Sequence, residues 1–275
     1  MIFGIFDWFK RKSEPEEPPE EEYYEPEPRD HYTEIPASRP RIENELKFDK
    51  DKIIYEIEIT NTTSEIMGGL NVMIEPARAN IVTVKDAEQS AELLDPDQSQ
   101  KFEFELYPMM QCGKTVIHGI LEYFDFDIKD KRQLKIPNRI ITLIPPELKG
   151  LKIDDDSWGT FTRQYKNVEV ETDTFEASPD SIFREFSAII EEQNLYMLQP
   201  MVIPNIYRGI SRYFGMDREG SKYAVEFQLI GNQDQSKFLL RTWGTDPQRC
   251  MALCCKIIDD FSKLTKVKIK DHIKN

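Results

Sequence analysis

The residues able to carry out nucleophilic, acid–base or metal chemistry are few and scattered in this chain. The histidines and cysteines are His31, His118, His272, Cys112, Cys250, Cys254 and Cys255. None of them has the spacing of a zinc site, and the sequence has no glycine-rich dinucleotide loop and no nucleophile elbow. Residues 113–115 (Gly-Lys-Thr) mimic the end of a phosphate loop, but Pro108 stands where the upstream glycine is required. The sequence therefore predicts no catalytic residue, no metal and no cofactor, and it favours a binding protein over an enzyme.

The charge balance excludes general nucleic-acid binding. Lys and Arg total 36 against 50 Asp and Glu, which gives a net charge of −14. Such a chain lacks the positive surface that displaces counterions from a nucleic acid. Three of the four cysteines fall on one predicted helix, where an i, i+4 disulfide is not easily made. We interpret them as small buried hydrophobic residues in a reducing cytosol.

The first twelve residues form an apolar stretch that ends in three positive charges. On a helix, its apolar residues share one broad face, Lys10 and Lys12 flank that face, and Arg11 points the other way. We expect this segment to contact an anionic membrane surface through Ile2, Phe3, Ile5, Phe6, Trp8, Phe9, Lys10, Arg11 and Lys12. The alternative is an adhesive end that docks on a protein. No apolar run approaches the ~20 residues that span a bilayer, so the predicted location is cytoplasmic and peripheral at the membrane.

Residues 13–43 form a predicted tether. Between positions 14 and 28 the chain carries eight Glu and five Pro. A segment of this composition cannot bury enough surface to offset its ordering entropy, so we expect it to be disordered or extended. The last ten residues, 266–275, form a basic tail.

Residues 44–150 alternate between apolar and polar side chains. Runs of period two, such as those around residues 53–59 and 102–106, are separated by turn residues at short intervals. This pattern predicts an all-β, immunoglobulin-like antiparallel sandwich.

Residues 151–265 predict an α+β domain with the order β-α-β-β-β-α. An antiparallel sheet with both helices on one face is expected, because sequential strands are joined by short turns. Its last helix begins after Asp246 and Pro247, which suit the N-cap and first turn. The apolar face of that helix is predicted to contain Cys250, Cys254, Ile257, Phe261 and Leu264. The preceding run 153–161, with its three consecutive acids, is interpreted as a solvated connection between the two domains.

Two short motifs mark the second domain. They are Leu240-Arg241-Thr242 followed by Gln248-Arg249 and Cys250, and Ala177-Ser178-Pro179-Asp180 followed by Phe183-x-x-Phe186. With the order of sandwich and α+β platform, they resemble the bilobal appendage, or ear, of clathrin adaptor large subunits and of the coatomer γ subunit. The resemblance covers about residues 46–264.

The resemblance implies a non-enzymatic platform that binds short peptide motifs of partner proteins. Phe183 and Phe186 would form the aromatic floor of the peptide site, and Lys237 would be a basic wall, with Arg241 nearby. Two positions depart from the family: Phe186 replaces a tryptophan, and Glu226 replaces a second basic residue. Trp243 is interpreted either as an exposed anchor or as a filler between helix and sheet.

Alternatives remain open from the residues themselves. By helical spacing alone, Phe183 and Phe186 are more typical of a core than of a pocket. The chain as a whole fits an adaptor-like module involved in vesicle trafficking, a self-associating membrane-surface scaffold, or an enzyme with a divergent site.

Overall fold

The computed structural model describes residues 39–198, 201–203 and 208–265. The predicted membrane-contact helix, residues 13–38 of the tether and the basic tail lie outside the described residues. Strand β1 already begins at Arg41, so positions 41–43, which the sequence assigned to the tether, belong to a strand.

The first part of the described chain consists of eight strands. They are β1 (Arg41–Asp49), β2 (Lys52–Thr60), β3 (Met67–Pro76), β4 (Val82–Val84), β5 (Glu88–Leu94), β6 (Ser99–Pro108), β7 (Gly113–Asp125) and β8 (Asp130–Leu143). One antiparallel sheet has the order β1-β2-β6-β4, and the other has the order β5-β3-β7-β8. Every second side chain of the central strands, for example Tyr55, Phe104 and Leu121, is buried between the sheets. The predicted antiparallel, mostly β architecture is confirmed, and the two sheets pack as a sandwich.

Asn44 joins the edges of the two sheets. Its Nδ2 donates to the Tyr55 hydroxyl at 2.9 Å and to the Pro137 carbonyl at 2.6 Å. The Arg139 guanidinium donates to both the side-chain and the main-chain oxygen of Asn44. Because β1 and β8 are edge strands, these bonds close one side of the sandwich.

The second part of the described chain contains one larger sheet and three helices. Its elements are β9 (Leu148–Gly150), α1 (Asp155–Gln164), β10 (Asn167–Glu171), β11 (Phe175–Glu176), α2 (Pro179–Glu192), β12 (Tyr196–Met197), β13 (Met201–Ile203), β14 (Arg208–Asp217), β15 (Lys222–Gly231), β16 (Gln235–Gly244) and α3 (Pro247–Thr265). We call this sheet the C-terminal sheet; its order is β10-β16-β15-β14-β12, and all its pairings are antiparallel. β9, β11 and β13 pair with its strands as short additions. β9 (Leu148–Gly150) occupies the last three residues of the predicted first domain, 44–150.

Helix α1 corrects the prediction of a solvated connection at residues 153–161. The Asp154 carboxylate accepts a hydrogen bond from Ser157 N at 2.7 Å and caps the helix. Asp155 and Asp156 lie in the first turn, where their negative charges interact favourably with the positive end of the helix dipole. Trp158 and Phe161 are buried against the C-terminal sheet. With only these two buried apolar residues, the helix has a weak apolar period, which explains why the sequence pattern did not reveal it.

Helix α3 lies between the C-terminal sheet and the sandwich and packs against both. Cys250 Sγ lies 3.5 Å from the Thr242 hydroxyl of the C-terminal sheet. On the sandwich side, Cys255 Sγ lies 3.9 Å from Met110 Sδ. The buried residues of the sandwich and the C-terminal sheet therefore form one continuous apolar core around this helix. Leu264, which was predicted to belong to the buried face, is 60% exposed because it lies in the last turn, beyond these contacts.

The cysteines behave as buried apolar residues in this core. All four are free thiols, and only Cys112 is partly exposed. Burial raises the pKa of the Cys112 thiol to about 11 and that of Cys250 to about 12. Both thiols are therefore uncharged near neutral pH, which agrees with the packing role that the sequence predicted.

Candidate functional site

The C-terminal sheet has one face covered by helices and one face that is partly uncovered. Helices α2 and α3 pack on the first face, against residues such as Tyr213, Phe227 and Phe238. Alternate residues of the same strands point to the opposite side, which we call the open face. Helix α1 covers one end of the open face, where Trp158 packs with Trp243 and Phe214.

A row of alternating charges crosses the open face beside α1. Arg241 lies opposite both Glu169 of β10 and Glu226 of β15, and Glu226 lies opposite Arg212 of β14. Arg241 Nε is 2.6 Å from Glu169 Oε2, and Arg212 Nε is 3.0 Å from Glu226 Oε2. Arg241 Nη1 is 3.5 Å from the other Glu226 oxygen. We call Glu169, Arg241, Glu226 and Arg212 the charge row.

Glu226 is the buried centre of the charge row. Its side chain is only 7% exposed, whereas both arginine side chains are about one-third exposed. Burial by itself lowers the pKa of Arg241, but its ion pairs with Glu169 and Glu226 outweigh that effect and raise the pKa. The Arg212 guanidinium also stacks over the Trp158 ring, 4.8 Å from its centroid. The row is therefore held in place by its own ion pairs and by α1.

Beyond the charge row, the open face alternates apolar and basic side chains. The next row across β16, β15 and β14 consists of Leu239, Gln228 and Ile210, all half-buried. The row after it consists of Lys237, Ile230 and Arg208. Ile230 is 43% exposed, and Arg208 is exposed. We call these six residues the mixed rows.

The structure divides the predicted peptide-binding residues between the two faces. Lys237, Arg241, Glu226 and Trp243 lie on the open face, on the neighbouring strands β15 and β16. Lys237 Nζ is 3.5 Å from the Glu171 carboxylate. The two phenylalanines of α2 lie on the helix-covered face, so the six predicted residues do not form one site.

Phe186 is a core residue, which corrects its assignment to a peptide-binding floor. It has no exposed surface, and its ring stacks on Phe227 with centroids 4.1 Å apart. Phe238 and Phe261 close around it at 4.8 and 4.4 Å. Helix α3 covers this side of the sheet and seals the ring from solvent.

The other predicted aromatic residues also pack inward. Trp243 is 8% exposed and meets Trp158 edge to face at 5.5 Å, so it fills the space between helix and sheet and is not an exposed anchor. Phe183 is half-buried, and its ring lies over Gly209, where a Cβ atom would come within 2.5 Å of it. Gly209 therefore supplies the close approach that this ring needs.

Sequence reasoning missed the role of α1 and of the apolar members of the mixed rows. Ile210, Ile230 and Leu239 alternate with the core residues of their strands, so each strand carries apolar side chains on both faces. That feature was visible in the sequence, but it is equally typical of a strand buried on both sides. Helix α1 packs over the row of Trp243 and Phe214 at one end of the open face, and the mixed rows lie at the other end, partly exposed.

A second polar cluster joins the β14–β15 turn to α3. The buried Asp217 carboxylate accepts from Arg249 Nη1 at 2.9 Å, the Tyr223 hydroxyl at 3.0 Å, and the amides of Glu219 and Ser221 at 2.9 Å each. An open groove of about 560 Å³ lies beside it, lined also by Pro145 and Pro146. In residues 39–198, 201–203 and 208–265, no group of three or more His, Cys, Asp or Glu is placed to hold a metal ion.

Comparisons with known proteins identify no family. No family model matches the chain. No curated protein matches it significantly. Among solved structures, native α2-macroglobulin from Escherichia coli, spanning domain MG7 to the C-terminus, is similar with a TM-score of 0.32 and 15% identity. The match covers 55% of this chain and 26% of that chain, so this chain spans about a quarter of that structure. A likeness this weak carries no argument about function.

Proposed function

We propose that this protein is a non-enzymatic, membrane-tethered interaction module that binds short segments of partner proteins. Its role would resemble that of vesicle-coat appendage domains. The observation that carries the proposal is the open face, where the mixed rows lie uncovered beside the charge row. The order of elements after the sandwich, with β10, α2, three long strands and α3, further supports an appendage-like α+β platform.

The chemistry of the open face favours segments with acidic and apolar side chains. Lys237 and the exposed Arg208 offer charged donors at one end of the face. Ile230, Ile210 and Leu239 offer apolar contact area between them and the charge row. The charge row is neutral as a set, because its two glutamates balance its two arginines. Glu171 on the same face balances Lys237, so Arg208 leaves the named residues of the open face with one net positive charge, on a chain whose net charge is −14.

Substitutions on the mixed rows test the proposal. In a peptide array of acidic and apolar sequences, the double variant Ile230→Asp, Lys237→Glu is expected to lose about tenfold or more in affinity. The matched control is Ile140→Asp, Lys114→Glu on the sandwich, where Ile140 is 63% exposed and Lys114 is also exposed. Equal binding by both double variants would remove the open face as the binding site.

The membrane attachment is a separate part of the proposal. None of the helices in the described parts of the chain is long and apolar enough to cross a bilayer. Attachment at the cytoplasmic surface is assigned to residues 1–12, where aromatic and aliphatic side chains precede Lys10, Arg11 and Lys12.

Flotation with liposomes tests the attachment. We expect the full chain to float with vesicles that contain phosphatidylserine, and a variant lacking residues 1–12 to remain at the bottom. Changing Lys10, Arg11 and Lys12 to Glu should reduce flotation most at low salt, because screening weakens the contribution of the charges. Flotation that is the same for all three proteins would eliminate the tether from the proposal and leave the peptide-binding test unaffected.

A further inference from the structure

The two sheets of the sandwich differ in the chemistry of their outer faces. On the sheet β1-β2-β6-β4, outward charges pair with one another, as Lys47 and Lys101 do with Glu56 at 2.9 and 2.8 Å. A face of this kind needs no partner to balance these charges. We call the outward side of the other sheet, β5-β3-β7-β8, the β7 face; one of its rows consists of Glu88, Met73, Ile120 and Lys135.

The centre of the β7 face is apolar. Val72 of β3 and Leu121 of β7 are buried between the sheets, so the residues next to them point outward. Met73 lies directly opposite Ile120, and Phe124 lies further along β7 on the same side. All three side chains are half-buried, so each keeps accessible surface within the described chain. Apolar area on an outward sheet face is what a partner surface can bury.

The charges of this row are separated between the two edge strands of the sheet. Glu88 on β5 is exposed and lies opposite Met73, whereas Lys135 on β8 is exposed and lies opposite Ile120. Strands three places apart in a sheet are about 14 Å apart, so Glu88 does not pair with Lys135 of its own copy. Glu88 Oε1 accepts a hydrogen bond from the neutral Asn71 side chain at 2.7 Å, which leaves its charge uncompensated.

A two-fold axis between two copies brings the separated charges together. When it runs along the strands, between β3 and β7, it exchanges β5 with β8 and β3 with β7, so each row faces the same row of the other copy. Glu88 then lies over the partner's Lys135, and Met73 lies over the partner's Ile120. In the next row, Glu75 lies over the partner's His118. An axis across the strands would instead stack each edge strand on its own counterpart, acid on acid and base on base.

This arrangement is that of ordinary sheet packing. Sheets that pack face to face keep their strand directions within about 30° of each other, and an axis along the strands meets that condition. Four strands at about 4.8 Å spacing and about seven residues in length cover roughly 400 Å² per copy. A standard stable interface buries about 800 Å² per partner. The smaller area corresponds to a reversible dimer that forms at micromolar or higher concentration.

We propose that a second copy of this chain packs on the β7 face and forms a two-fold symmetric, reversible dimer. Met73, Ile120 and Phe124 supply the apolar centre of the interface, and Glu88 pairs with the partner's Lys135 on both sides of it. Because these charges lie on edge strands, the two ion pairs are at the rim and stay partly solvated. The mixed rows belong to a different sheet, so dimer formation is independent of peptide binding there.

Sedimentation velocity of the full chain at rising protein concentration tests the proposal. The sedimentation coefficient of the wild type is expected to rise towards that of a dimer. Glu88→Lys and Lys135→Glu should each weaken dimerisation about tenfold or more, because two-fold symmetry places each repulsive contact in the interface twice. The matched controls are Glu103→Lys and Lys152→Glu. They make the same charge changes at exposed positions outside the β7 face and should dimerise as the wild type does.

Mixing the two single variants completes the test. In a dimer of one Glu88→Lys copy and one Lys135→Glu copy, both rim contacts again join opposite charges. An equimolar mixture should therefore dimerise about as well as the wild type, although each variant alone does not. A wild type that stays monomeric at every concentration would overturn the proposal, as would association that neither reversal weakens. Weakened association that does not recover on mixing would exclude the two-fold pairing and overturn the proposal as well.

Discussion

Replacing Phe186 with alanine is expected to lower the free energy of unfolding by about 3–5 kcal/mol, the usual cost of truncating a buried phenylalanine. The ring is completely buried and contacts three other phenylalanine rings from β15, β16 and α3. Its removal leaves a cavity between α2, the C-terminal sheet and α3, which rigid strands cannot close. Chemical denaturation followed by circular dichroism measures the effect.

The same helix provides the control for this prediction. Phe183→Ala removes a ring of the same size that is only half-buried, so we expect a smaller loss, about 1–2 kcal/mol. If Phe186→Ala left stability unchanged and abolished peptide binding, the ring would have to be accessible and its place in the core would be wrong. Loss of binding in proportion to loss of folded protein agrees with the structure.

Replacing Asp217 with asparagine is expected to cost about 2–3 kcal/mol at neutral pH, less than for a completely buried ion pair because Arg249 is partly exposed. Burial alone would raise the pKa of Asp217, but Arg249, the turn amides and Tyr223 more than offset it and hold the pKa below its ordinary value of 3.8. Tyr223 has a raised pKa, through burial and then its bond to Asp217, so it stays a hydrogen-bond donor. The substitution removes the negative charge that accepts hydrogen bonds from Arg249, Tyr223 and the turn amides.

The stabilisation by the Asp217 carboxylate is expected to depend on pH in one direction. Because the pKa of the folded state is lowered, the stabilisation is present above the ordinary pKa and is lost as the pH falls through the lowered value. The difference between wild type and Asp217→Asn should therefore be constant near neutral pH and shrink in acid. Urea unfolding at a series of pH values measures it, with the exposed Asp86→Asn as control. A difference that persists at the acid end would mean that shape, and not charge, is what the asparagine changes.

In the sandwich, the fold follows most directly from the local pattern of apolar and polar residues. Alternation of apolar side chains with period two set the buried faces of β2 and β6 directly, because successive residues of a strand must point to opposite sides. Asp246 and Pro247 marked the start of α3 in the same way, since N-cap chemistry is local. The resemblance to appendage platforms rested on equally local motifs. It predicted Phe183, Phe186, Lys237 and Arg241 in one site, whereas the structure has the two phenylalanines on the opposite face of the sheet from Lys237 and Arg241.

The sequence by itself determined the β-rich architecture, the start of the last helix and the burial of its cysteines, since each depends on neighbours within a few residues. Only the tertiary structure decided which face each sheet residue occupies relative to the helices. Phe186 is buried because α3 lies over it and Trp243 because α1 packs on it, whereas Ile230, three rows along the open face from Trp243, is 43% exposed. Coverage of a sheet depends on segments far apart in the chain, so residue spacing within one strand or helix cannot specify it.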